Sequence, residues 1–108
     1  MRIQKHLRYF LFCYLSLITP IVLAGNDADS IIRLATTTST ENSGLLAHLL
    51  PKFEAKSGYR VHVIAVGTGK ALRMGRDGDV DVLLVHAPEA EADFVTEGYG
   101  EKRHAVMY

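Results

Sequence analysis

Two stretches of this sequence combine residue types suited to chemistry: Thr36-Thr37-Thr38-Ser39-Thr40, five hydroxyls in a row, and Gly67-Thr68-Gly69-Lys70. Hydroxyls are neutral donors that rotate to meet an oxygen, and glycines let a ligand approach the backbone closely. Each stretch follows an apolar run and precedes a segment with helical spacing, so each reads as a strand–turn–helix junction. Free N–H groups at a helix start favour an anion. In an open parallel sheet such junctions lie at the carboxyl ends of the strands, on one edge, where ligands bind. The pair can therefore hold a tetrahedral oxyanion between two helix N-termini. The plainer reading is that Ser and Thr cap a helix, but five in succession exceed what a cap needs.

Familiar motifs fail against the same residues. A phosphate-binding loop of the form Gly-x-x-x-x-Gly-Lys-Ser/Thr would need glycine where Ile64 stands and a hydroxyl where Ala71 stands. The dinucleotide pattern Gly-x-Gly-x-x-Gly would need glycine in place of Leu72. Both nucleotide readings are rejected. His48, His62, His86 and His104 lack metal-site spacing. Asp79 and Asp81 are too few for a dedicated metal cage and read as turn caps. His86 follows a strand and either faces the cleft or serves as a surface or packing residue. Lys70 either contacts a ligand or, as a lysine in a first helical turn usually does, points to water, while Arg73 and Arg76 read as solvated. No Gly-x-Ser-x-Gly elbow and no Cys/His pairing is present after the first 24 residues, which leaves nucleophilic catalysis without a constellation.

The elements that must position these turns follow from periodicity. Ile31–Ala35 is a short apolar strand candidate. Leu45, Leu46, Leu49, Leu50 and Phe53 recur at helical spacing and predict an amphipathic helix from about Ser43 to Lys56, ended by Ser57-Gly58. Pro51 falls inside it and should kink the helix or split it in two. Tyr59–Val66 is the clearest strand. A short helix is expected over Lys70–Arg76, a turn at Asp77-Gly78-Asp79, a strand over Val80–Val85, a helix over Glu89–Glu97 and a fourth strand over Arg103–Tyr108. Strands alternating with helices at this spacing mean parallel βαβ units, so the fold class is α/β.

The chain has 108 residues, and its first 24 read as a secretory signal. Arg2, Lys5 and Arg8 form a basic start, Tyr9 to Leu23 is mostly apolar, and Val22-Leu23-Ala24 offers a cut before Gly25. The alternative is an uncleaved anchor. Against it, the apolar run is shorter than the roughly 20 residues that span a bilayer, and Pro20 sits near its end. The lone Cys13 lies inside that run, so the mature chain would have neither thiol nor disulfide. From Gly25 onward nine Lys/Arg face 12 Asp/Glu, a net of −3 that gives nucleic-acid binding no support. The remaining residues suffice for one small core. His104-Ala105-Val106-Met107-Tyr108 stops as if within an element, so a fragment of a longer protein is expected.

With the residues in order, a resemblance emerges. Thr36–Thr40 with Ser43-Gly44-Leu45-Leu46, then Leu49-Leu50-Pro51-Lys52-Phe53-Glu54, resembles the tungstate-binding proteins of ABC transporters. So do Val63–Leu72, Gly78–His86 and the closing Arg103–Tyr108. The resemblance covers essentially all of residues 25–108 and accounts for Pro51, which the family pattern carries there. It implies two α/β lobes of the periplasmic-binding-protein type around a cleft, of which this chain would be the amino-terminal one. It also implies a monomeric periplasmic protein, without cofactor or catalysis, that delivers tungstate, or molybdate, to a membrane permease driven by an ATPase. The turn residues Thr37, Thr38 and Ser39, together with Gly67, Thr68 and Gly69, would then bind the oxyanion, and Arg103 stands where a basic group could reach it. Two alternatives stay open: a truncated, non-transporting product, and an enzyme domain that holds a phosphate ester in the same turns.

Overall fold

The computed structural model describes residues 30–106, so the expected signal segment and Met107–Tyr108 lie outside the described residues. Strand β1 (Ile31–Thr37) is the middle of a three-stranded sheet, with β2 (Arg60–Val66) on one side and β3 (Val82–Leu84) on the other. Both pairings are parallel. The α/β expectation is borne out. β1 reads Leu34-Ala35-Thr36-Thr37, four consecutive buried residues. Alternate strand side chains point to opposite faces, so burial of all four means that both faces of this strand are covered, as parallel sheets require.

Helices α1 (Thr38–Asn42) and α2 (Leu45–Ser57) join β1 to β2, α3 (Thr68–Arg76) joins β2 to β3, and α4 (Pro88–Thr96) follows β3. The first crossover moves to one side of β1 and the second returns across it. Right-handed crossovers in opposite directions put their helices on opposite faces, which agrees with the two-sided burial of β1. The core consists of Leu34, Ala35, Leu46, Ala71, Leu72 and Phe94. Burying each large member of that set stabilises the fold by about 1.5–3 kcal/mol.

Several sequence-based expectations change. The helix foreseen from Ser43 is preceded by a separate helical turn, α1. The break comes at Gly44, whose φ of 77° glycine adopts at no steric cost. Pro51 neither splits nor ends α2. Its missing N–H would have served the Ala47 carbonyl, and both residues are exposed, so water can take that place. Gly58 closes α2 in the left-handed conformation, its N–H donating to the Glu54 carbonyl at 2.9 Å. On the apolar face of α2, Leu46 alone is buried, while Leu49 and Phe53 are exposed.

β3 is shorter than the six residues foreseen, for a chemical reason. At its start, Arg33 and Asp81 are joined by one backbone bond, Asp81 N–H to the Arg33 carbonyl at 2.9 Å. In return, the Arg33 N–H donates to Asp81 Oδ2 at 2.8 Å. A side-chain carboxylate thus replaces a backbone acceptor where the ladder begins, and Asp81 serves β1 rather than a turn. Asp81→Ala is expected to cost about 1–2 kcal/mol, since the bond involves a charged acceptor but is exposed. Urea unfolding checks this, and an unchanged midpoint would mean water replaces the carboxylate without loss.

The fourth strand expected over Arg103–Tyr108 is not formed by its described residues, Arg103–Val106. They join no ladder, and Val106 is 66% exposed. A strand persists only where its backbone groups find partners. Here Arg103 Nε instead donates to Glu91 Oε2 at 2.7 Å, which ties the segment to the first turns of α4.

Candidate functional site

The register brings the three strand ends level. Thr37 pairs with Val66, and Thr36 pairs with Leu84, so the turns after β1, β2 and β3 open on one edge. Right-handed crossovers set α1 and α2 on one face and α3 on the other, and α4, after β3, packs with α3. That makes the crevice between their carboxyl ends the switch point at which open α/β sheets bind ligands. Thr36 fastens this place. Fully buried, its Oγ1 donates to the Leu84 carbonyl at 2.7 Å, locking the ends of β1 and β3 together.

Of the five hydroxyls, Thr36 and Thr37 turn inward. Thr37 is 4% exposed and is the N-cap of α1, its Oγ1 accepting from the Thr40 N–H at 3.3 Å. The same oxygen lies 2.8 Å from Thr40 Oγ1 and 3.1 Å from Ser39 Oγ. The capping reading therefore holds for Thr37, while Thr38 and Ser39 are exposed at the rim. On the neighbouring strand end, Gly67 is the N-cap of α3 and supplies no side-chain cap. The first intrahelical bond there runs from the Ala71 N–H to the Gly67 carbonyl at 2.9 Å. The amides of Thr68, Gly69 and Lys70 thus begin a helix whose positive end carries no side-chain acceptor. The space that a Cβ would take at Gly67 or Gly69 is open, so these glycines leave room beside the backbone.

The turn after β3 completes the edge. His86 Nε2 lies 3.5 Å from Ser39 Oγ, bridging the β1 and β3 turns across the switch point. Sequence reading left His86 between cleft and surface, because only the strand order β2-β1-β3 places it beside Ser39. The start of α4 differs from that of α3: Glu91 Oε1 accepts from the Ala87 N–H at 2.9 Å, so a carboxylate of the chain already answers that positive end. The other oxygen of Glu91 holds Arg103, whose side chain is 37% exposed. The structure thus brings together Thr37, Thr38, Ser39, Gly67, Thr68 and Gly69 and places Arg103 in an ion pair on α4. Among the described residues no group of three or more His, Cys, Asp or Glu side chains is assembled for a metal ion. A recess of about 370 Å³ lies at the opposite, amino end of the strands, lined by Ser30, Ile31, Arg60 and His62. It is remote from the hydroxyl and glycine turns.

A parallel sheet whose strand ends, helix starts and hydroxyls open on one edge has the arrangement in which open α/β sheets bind ligands. The family model for the PBP superfamily domain matches residues 24–108, and the chain belongs to that family. It is 57% identical over 82 residues to the tungstate-binding protein TupA of Peptoclostridium acidaminophilum, covering 76% of this chain and 29% of that one. To the tungstate-binding protein TupA of Campylobacter jejuni it is 51% identical over 70 residues, 65% of this chain and 26% of that one. The solved structure of the tungstate-binding protein TupA of Desulfovibrio alaskensis superposes with a TM-score of 0.67 at 55% identity, over 68% of this chain and 29% of that chain. The resemblance read from the sequence is borne out. The chain spans less than a third of the length of these relatives.

Proposed function

We propose that this chain supplies one lobe of an extracytoplasmic solute-binding protein that captures tungstate, with molybdate as the nearest competitor, for import by an ABC transporter. The observation that carries the reading is the meeting of two helix starts at one sheet edge. Thr38 and Ser39 on α1 lie beside the amides of Thr68, Gly69 and Lys70 on α3, at strand ends held level by the Thr37–Val66 pairing. Neutral hydroxyls and amides desolvate at less cost than a charged cage and still bond each oxygen of a tetrahedral anion. The three relatives reported above are named for tungstate binding. The basic and apolar start of the sequence supports export.

Capture needs no covalent step, so the role is binding and not catalysis, and the partners are a membrane permease and its ATPase. Calorimetric titration of the chain with tungstate, molybdate, sulfate and phosphate tests the reading. Saturable binding of tungstate and molybdate in preference to the other two is expected. A folded chain that binds sulfate or phosphate in preference to tungstate would overturn it.

A further inference from the structure

Every group so far placed against the anion is neutral, and a divalent oxyanion brings two negative charges to the same spot. Arg103 has its charge partly answered within the chain, its Nε donating to Glu91 Oε2 at 2.7 Å. His86 stands elsewhere: it follows the edge strand β3, is exposed, and has its Nε2 3.5 Å from Ser39 Oγ. Ser39 Oγ is in turn 3.1 Å from Thr37 Oγ1. An anion seated on the Ser39 hydroxyl is therefore within one atom's reach of the imidazole edge.

We propose that His86 is a further oxyanion-binding residue, a donor that becomes cationic on protonation and makes capture stronger at low pH. The inference rests on the oxyanion reading above. Imidazole is the side chain that ordinarily changes charge between pH 5 and 8. A hydrogen bond to an anion from a charged donor is about twice as strong as one from a neutral donor. The carboxylates on the elements beside His86 are Glu41 on α1 and Glu89 and Glu91 at the start of α4. Glu91 is committed to the Ala87 N–H and Arg103. Lys70, in the first turn of α3, is the other cation on this edge.

The sign follows from charge alone. Protonated His86 attracts the anion, so binding is strong at the acid end of the range and weakens as pH rises. The test is calorimetric titration of the chain with tungstate at pH 6.0, 7.0 and 8.5, for wild type, His86→Gln and His86→Arg, with thermal melting to confirm equal folding. Wild type should lose roughly tenfold or more in affinity between the extremes. His86→Gln should be weak and nearly flat with pH, and His86→Arg strong and nearly flat. If wild type binds tungstate and His86→Gln binds equally at every pH, the inference falls and the oxyanion reading stands. If wild type binds no tungstate at any pH, this inference falls, while the reading of the chain as one lobe is tested by the four-anion titration above.

Discussion

Replacing Phe94 with alanine is expected to remove about 3–5 kcal/mol of stability. The ring is 7% exposed and sits where α3, β3 and the segment after α4 meet. A Cβ built on Gly75 would come within 2.8 Å of both Phe94 Cζ and Leu83 Cδ1, and one on Gly100 within 3.0 Å of the same ring. Such closeness means that the backbone of α3 and the Gly98–Gly100 turn are moulded to Phe94, leaving no neighbour able to collapse into the space it vacates. Tyr99 lies 5.8 Å from it, centroid to centroid, and the Arg76 guanidinium stands 6.0 Å over the Phe94 ring and 5.5 Å over Tyr99. A domain of this size has roughly 4–12 kcal/mol in total at 0.05–0.15 kcal/mol per residue, so the substitution removes a large part of it. Urea unfolding followed by circular dichroism should register a midpoint lowered by roughly 2 M or more. A loss below about 1 kcal/mol would mean that the centre of the core is elsewhere.

The second large effect concerns binding. The triple variant Thr38→Ala, Ser39→Ala, Thr68→Ala should weaken tungstate binding at least a thousandfold. Each hydroxyl bonded to an anion contributes about 1.5–3 kcal/mol, and three together exceed the roughly 4 kcal/mol that a factor of a thousand represents. Stability should change little. Among the described residues the Thr38 and Thr68 hydroxyls make no hydrogen bond within the chain, and Ser39 contributes contacts of 3.1 and 3.5 Å to Thr37 and His86. Calorimetry and thermal melting separate the two effects. Wild-type affinity in a folded triple variant would remove these hydroxyls from the site. Thr37 and Thr36 are left out of the variant because each is buried and bonded, so their loss would confuse capping and strand locking with binding.

Legibility in the sequence differs among these elements in a way that follows range. Strands β1 and β2 and helix α2 are carried by local apolar patterning, and the α/β class follows from their alternation. The boundary between α1 and α2 does not show in the apolar spacing, which runs on from Leu45, although Ser43-Gly44 marks it. The role of Asp81 is hidden in the sequence, since its partner, the Arg33 N–H, lies in a strand 48 residues earlier. The fourth strand failed for the complementary reason. A β-like composition at Arg103–Val106 says nothing about whether a ladder is within reach. Both hydroxyl and glycine turns were legible as strand ends. The approach of His86 to Ser39 was not, since it depends on β3 returning past β2 to lie beside β1.

The two flanks of the sheet carry different consequences for how this polypeptide behaves in a crowded solution. On the β2 flank, the Val61 N–H donates to Glu54 Oε1 of α2 at 3.0 Å, so a negatively charged side chain fends off any incoming backbone there. On the β3 flank no described strand lies beyond Val82–Leu84, and Val82 is 46% exposed. An unpaired edge with an apolar side chain is a template for self-association. Concentrated samples should therefore stick to one another along β3 and not along β2, and a lysine at Val82 is the change that would keep them apart.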